Sequence, residues 1–364
     1  MSRLIRWTSI ARIAMLAPVI GSTYPQPSTW GDGSPIVVPR DMVALARWHP
    51  LADRRWAGPS VWCNRLQDWR VRRGRLVAEN PQGLPMRTAH LVTHQLSDRR
   101  EPFRLAVVLY DEHLADAPGF AGFLLGAGEG RLDYRGAALI HHLPGKGGGL
   151  LAGLDTGKQP MPVFRDMSAE TNGPNYPPVS GQRVVVSGSI ARDRHCVMLT
   201  IEGVPTGDAY DLRLGVWDEH GQQLLGAAEL RGVLGNRLLG NVALVSHGSS
   251  LGRVHEFESF RGGGGRLEHH PDRAFGPIVG TLYTVCEGTL KLSAQFVPLE
   301  ATQNITLPEK QGTREGVRRL LAGLERKSAD GQWETVDGPK PIIGPDYYVL
   351  FRVDKWDSKR DIET

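Results

Sequence analysis

Leu66-Gln67-Asp68-Trp69-Arg70-Val71-Arg72-Arg73-Gly74-Arg75-Leu76 is echoed far downstream by Phe257-Glu258-Ser259-Phe260-Arg261-Gly262-Gly263-Gly264-Gly265-Arg266-Leu267. Each stretch runs through an apolar residue, a polar pair, an aromatic and an arginine, and each ends in Gly-Arg-Leu. Side chains alternate between the two faces of a strand, so both phrases read as strand–turn–strand with glycine at the turn. Two such phrases at the ends of a β-rich segment predict that its first and last strands are neighbours. Residues 58–268 are then one closed β unit, and the rest of the chain is placed relative to it.

A chain of 364 residues has room for two domains. The 44 glycines and 25 prolines, with 40% hydrophobic residues, favour many short strands joined by turns. The net charge of +4 is small for this length. Arg72-Arg73 and Arg99-Arg100 are the tight basic pairs of the β unit, and no basic run interleaved with aromatics marks a nucleic-acid face. Cys63, Cys196 and Cys286 lack metal-ligand spacing, and one disulfide or buried free thiols both fit. Arg3 and Arg6 precede a mostly apolar run from Ile10 to Ile20, which fits either an export signal or a frayed leader. The first would place the protein in the periplasm or outside the cell. No later stretch approaches the roughly 20 apolar residues of a membrane helix.

Residues 22–40 read as a linker and Met42–Trp48 as a short helix, so residues 1–57 form a leader region. From residue 58 the alternation predicts strands at Phe103–Tyr110, Phe120–Ala127, Ala137–His142, Leu150–Leu154, Arg183–Ser187, Cys196–Glu202 and Asn241–Ser246. Leu212–Trp217 and Gln223–Leu230 flank Asp218-Glu219-His220-Gly221, a hairpin signal because glycine accepts positive φ. Strands at this spacing predict an all-β antiparallel sandwich over residues 58–270. Residues 271–364 read as a small β module with strands at Thr281–Val285, Thr289–Phe296 and Tyr347–Val353. Within it, Val317, Leu320, Leu321 and Leu324 have helical spacing, although a strand with apolar residues on both faces also fits.

Candidate chemistry is sparse. Asp111-Glu112, Asp116 and Asp133 could supply a calcium site, since hard cations take clustered carboxylates. They come from different loops, where turns and caps are the alternative. His141-His142 and His269-His270, placed on strands, point their rings to opposite faces. Gly145-Lys146-Gly147-Gly148-Gly149 lacks the Gly-Lys-Ser/Thr ending of a phosphate loop and reads as a turn. Ser246-His247 and Ser249-Ser250 bring serine near histidine without a G-x-S-x-G elbow. Trp62, Trp69, Tyr134, Trp217 and Phe260 would stack on sugar rings if exposed, and otherwise belong to the core.

One resemblance adds to this reading. His270-Pro271-Asp272-Arg273-Ala274-Phe275-Gly276-Pro277-Ile278-Val279-Gly280-Thr281-Leu282-Tyr283-Thr284, followed by Gly288-Thr289-Leu290-Lys291-Leu292-Ser293-Ala294-Gln295, resembles the junction in large PhoD-like alkaline phosphatases and phosphodiesterases. Shorter blocks that match include Trp62–Trp69, Met86–Leu91, Gly122–Gly128, Leu132–Arg135 and Gly240–His247. The resemblance implies a concanavalin-like (laminin-G-like) jelly-roll sandwich, then an immunoglobulin- or fibronectin-III-like module, with a phosphatase domain beginning beyond Phe351–Asp357. Divalent metals would belong to that domain. Gly240-Asn241 is followed by Val242 and so is not the G-N-H-D/E ligand motif, and no catalytic residue carries over to this chain.

Three readings follow. The first is a non-catalytic accessory region of a PhoD-like phosphoesterase, with no cofactor of its own. The second is a carbohydrate-binding module using a sheet face or the loops holding Asp111, Asp116, Asp133 and Tyr134, with calcium as the one cofactor to consider. The third, a glycoside hydrolase or lyase, needs two carboxylates roughly 5–9.5 Å apart on one face, and no E-x-D-x-x-E alternation supplies them. The expected partners are carbohydrate or a phosphatase domain, with no nucleic acid and no membrane span, on a monomer.

Overall fold

The computed structural model describes residues 42–48, 53–80, 86–112, 114, 118–168, 176–186, 190, 195–248, 253–297, 321–327, 331–342 and 347–357. They fall into two compact units divided between Ala274 and Phe275. The larger unit contains, in chain order, β1 (Val43–Ala44), β2 (Val61–Cys63), β3 (Trp69–Arg72), β4 (Arg75–Asn80), β5 (Arg87–Leu96), β6 (Phe103–Tyr110), β7 (Gly119–Gly128) and α1 (Tyr134–Ile140). It continues with β8 (Leu150–Thr156), β9 (Met161–Asp166), β10 (Arg183–Val186), β11 (Cys196–Thr206), β12 (Ala209–Trp217), β13 (Leu224–Leu234), β14 (Gly240–Gly248), β15 (Arg253–Gly263) and β16 (Leu267–His269).

These strands form the all-β antiparallel sandwich that the sequence predicts. A nine-stranded sheet runs β10-β13-β12-β11-β6-β15-β4-β3, with β1 also on β15. A seven-stranded sheet runs β16-β5-β14-β7-β8-β9, with β2 also on β5. Their inner faces share one core, to which β6 gives Leu105, Val107 and Leu109 and β7 gives Phe123 and Leu125. Phe123 and Phe260, from opposite sheets, meet with ring centroids 6.1 Å apart. Each such fully buried side chain contributes about 1.5–3 kcal/mol by leaving water. The seven-stranded sheet is buried on its outer face as well, where Phe120, Leu124, Leu151, Val163 and Val245 pack with Met86, Met167 and Tyr176. Strands buried on both faces read as continuous apolar runs, which is the pattern of β7 and β14.

The echoed phrases do lie side by side, since β4 pairs with β15. Only the first is a hairpin: β3 and β4 join through Arg73 and Gly74, at φ 50° and 77°, the positive pair of a type I′ turn. The second phrase instead crosses between sheets, because β16 pairs with β5. Gly264 permits the crossing: φ is 104°, and a Cβ there would lie 2.2 Å from the Pro102 carbonyl oxygen. Arg266 anchors it, 1% exposed, donating to the Gly235 carbonyl at 2.6 Å and stacking over Tyr210 at 4.1 Å.

Two further expectations change, a third holds and the cysteine alternatives are decided. Met42–Trp48 is not helical: β1 pairs with β15, and Leu45, Ala46 and Trp48 are buried in the core. Ala137–His142 is not a strand but the body of α1 and the turn after it. Asp133 caps that helix by accepting from the Arg135 amide at 2.9 Å. The 218–221 hairpin is confirmed, with Asp218 Oδ1 accepting from the Gln222 and Gln223 amides at 2.6 and 3.1 Å. The cysteines are free thiols, buried at Cys63 and Cys196 and exposed at Cys286.

The smaller unit contains β17 (Ile278–Cys286), β18 (Thr289–Phe296), β19 (Leu321–Lys327), β20 (Trp333–Pro341) and β21 (Tyr348–Val353). β17-β18-β21 form one sheet and β19-β20 a second. Both give residues to a core of Leu290, Leu292, Phe296, Ala322, Leu324, Val349 and Phe351. Leu321 and Leu324 therefore lie on a strand and not on a helix, while Val317 and Leu320 lie outside the described residues. Residues 1–41 and Asp116 also lie outside them.

Candidate functional site

The three described candidates among the carboxylates and tyrosine, Asp111, Asp133 and Tyr134, are placed in different surroundings. Asp111 follows β6 and is 2% exposed. Its Oδ2 lies 3.5 Å from His255 Nε2, and Ser246 Oγ lies 2.6 Å from His255 Nδ1. The two sheets are thus bridged by a Ser–His–Asp chain: Ser246 sits on β14, His255 on β15. Ser246 and His255 are each 1% exposed, so the serine is sealed in the core and out of reach of a substrate. Histidine near Ser246 was visible in the sequence as His247, but the partner is His255, supplied by the neighbouring sheet.

Asp133 and Tyr134 lie together at the start of α1. Asp133 also accepts from the Arg135 guanidinium, at 2.8 Å, and this bonding holds its carboxyl below its ordinary value. Tyr134 is flanked by the Arg273 guanidinium at 4.5 Å and that of Arg135 at 5.5 Å. Arg273 in turn donates to Gln95 Oε1 at 2.8 Å. Asp111 and Asp133 therefore do not converge. Among the described residues, no group of three or more His, Cys, Asp or Glu side chains is arranged to hold a metal ion.

The histidine pairs also separate. His141 is buried at the end of α1, and His269 stacks on His94 with centroids 4.4 Å apart. Of the aromatics, Trp69 and Phe260 are core residues and Trp62 is half-buried. Trp217 differs.

Trp217 ends β12 on the outer face of the nine-stranded sheet. Directly paired residues in an antiparallel sheet share a face, and the registers lay out this face row by row. One row runs Ala106, Thr200, Gly215 and Ala227 across β6, β11, β12 and β13. These small residues form a floor. The Trp217 indole folds onto it, its N–H donating to Thr200 Oγ1 at 2.9 Å. Glycine is required beneath it, because a Cβ on Gly215 would lie 2.6 Å from the indole nitrogen. One edge of the ring is thereby fixed to the sheet, and the residue is left half-buried at the surface.

The adjacent row is a charge ladder. Arg104, Glu202, Arg213, Glu229 and Arg183 stand opposite one another across β6, β11, β12, β13 and β10. Arg104 and Glu202 form a salt bridge of 3.0 Å. Burial pushes the Glu202 carboxyl up from its ordinary value, with Arg104 and Arg213 opposing the rise. On the far side of the face, Arg75 bridges Glu256 at 2.9 Å and Glu258 at 3.3 Å and lies over the Tyr110 ring at 3.4 Å. Glu256 and Glu258 thus share this face with Glu202 and Glu229, and both are tied to the Arg75 guanidinium. The sequence signal for this site is the outward parity of Arg104, Glu202 and Arg213 on strands whose inward positions are apolar. Which of them stand opposite one another is set by strand register.

No protein-family model matches the chain, and no curated protein sequence matches it. Solved structures do. Lectin UEA-II complexed with galactose is 10% identical with a TM-score of 0.39, covering 62% of this chain and 98% of that one. The potassium-bound carbohydrate recognition domain of Emp46p is 13% identical with a TM-score of 0.40, covering 60% and 95%. The exoplasmic/lumenal domain of VIP36 in its Ca2+/Man3GlcNAc-bound form is 14% identical with a TM-score of 0.37, covering 59% and 87%.

Proposed function

We propose that the larger unit binds carbohydrate on the outer face of its nine-stranded sheet. The observation that carries this reading is the Trp217 indole, held over Gly215 by its bond to Thr200. A sugar ring offers an apolar C–H face and a rim of hydroxyls. An anchored indole suits the face, and the Arg104–Glu202–Arg213–Glu229 row offers the hydroxyls both donors and acceptors. The serine with triad-type partners is sealed, which favours binding over hydrolysis. Calorimetric titration with a panel of soluble plant and microbial polysaccharides tests this. Trp217→Ala is expected to weaken binding at least about 10-fold, while Tyr134→Ala leaves it unchanged. Loss with Tyr134→Ala alone would move the site to α1.

The junction-like run from His270 to Thr284 spans the division between the two units and favours a second, compatible reading. In it, the sugar-binding unit is an accessory that anchors a PhoD-like phosphoesterase to its substrate. On that reading, the chain alone turns over no phosphate diester in the presence of divalent metals; metal-dependent turnover at enzyme-like rates would refute it.

A further inference from the structure

The charge ladder has one more arginine than glutamate, and the surplus lies at its outer end. There a cavity of about 330 Å³ is lined by Ser180, Gly181, Arg183, Glu229, Leu230 and Arg231. Arg183 and Arg231 are exposed, and among the described residues no salt bridge ties either to a carboxylate. Arg213, the cross-strand neighbour of Glu229, has a buried Nη1 with no hydrogen-bond partner among the described residues. At the inner end Arg104 and Glu202 form an ion pair, whereas at the outer end, among the described residues, the exposed Arg183 and Arg231 have no carboxylate within ion-pair distance. Asp211, on the same face, is occupied by the Gly232 amide at 3.0 Å.

We propose that this cavity is a carboxylate subsite and that the carbohydrate bound beside Trp217 is an acidic glycan containing uronic acid; the proposal rests on the sugar-binding reading above. A guanidinium fork matches a planar carboxylate with two parallel hydrogen bonds. Glu229 in the cavity wall disfavours a doubly charged group such as phosphate, which would meet it at close range, and leaves the net positive charge suited to one negative charge. Position agrees as well. Gly215, beneath the indole, pairs with Ala227, two residues before Glu229 on the neighbouring strand. With strands about 4.8 Å apart and a rise of about 3.4 Å per residue, the platform lies roughly 8 Å from Glu229 in the near wall of the cavity and roughly 12 Å from Arg183 one strand further on, within the span of a disaccharide.

The test is calorimetric titration of the full chain, at low salt, with polygalacturonate, a neutral glucan and a sulfated glucan lacking carboxylates. Polygalacturonate is expected to bind about 10-fold or more tighter than either of the others, the size of a charge-assisted hydrogen-bond pair. In Arg183→Gln/Arg231→Gln, checked for folding by circular dichroism, that preference should fall below about 3-fold while neutral-glucan affinity is retained. Trp217→Ala should weaken all binding. Equal affinity for polygalacturonate and neutral glucan overturns the carboxylate subsite while the sugar-binding reading stands. Equal affinity for the sulfated glucan also overturns it, by showing binding to any polyanion. Failure of every glycan to bind overturns both.

Discussion

At the residue scale, buried polar groups set how the sandwich responds to substitution and to pH. Asp111 faces His255 in the core, so truncating it removes the carboxylate beside Nε2 while Ser246 stays on Nδ1. Asp111→Ala is expected to cost about 3 kcal/mol in urea unfolding, with binding at Trp217 unaffected. Burial is the main cause that lowers His90 to about 3 and His94 and His247 to about 4. His269 and His270 lower His94 further, and His255 and two arginines lower His247. A folded-state value below the unfolded 6.5 means that the unfolded chain takes up these protons first. Stability is therefore level above about pH 7 and falls as pH drops from 6.5 towards 4. Calorimetric melting at pH 7.5, 6 and 4.5 checks the sign; a melting temperature that rises on acidification would contradict it.

At the element scale, β17 stands out. It is the edge strand of its sheet, its nine residues carry no charge, and Val279, Leu282 and Tyr283 are 67, 79 and 71% exposed. Uncharged apolar edges pair readily with other strands. Concentration-dependent association is expected in analytical ultracentrifugation, and Leu282→Lys should suppress it. Elements of this kind were legible in sequence because their period is local: β6 and β18 have the limits that alternation predicts. Alternation failed at α1, where a seven-residue helix contains less than two full helical repeats and the decisive signal is the cap at Asp133. It failed at Val43–Ala44 too, since a two-residue strand has no period and is fixed by pairing with β15.

At the scale of the whole molecule, the sandwich class and the adjacency of the echoed phrases could be read from the chain, but the binding face could not. Arg104, Glu202, Arg213, Glu229 and Arg183 become a row only through four separate registers, one of them shifted by bulges. Asp111 was visible as a carboxylate; its burial against His255 depends on the pairing of β6 with β15, strands far apart in the chain. The site lies wholly on the larger unit, so a fragment ending at Ala274 should keep polysaccharide affinity within a factor of about two in calorimetric titration. The crossing at Gly264–Arg266 has a mechanical meaning as well. Tension on the chain at Phe275 meets first Arg273 on Gln95 and then β16, a three-residue strand held by β5 and by His270 on the Thr93 carbonyl. A strand so short peels easily. Behind it sits the Arg266 guanidinium, gripped by Gly235 and Tyr210, a knot in the thread at which a pull that frees β16 is expected to stop, before it reaches β15 and the face that holds Trp217.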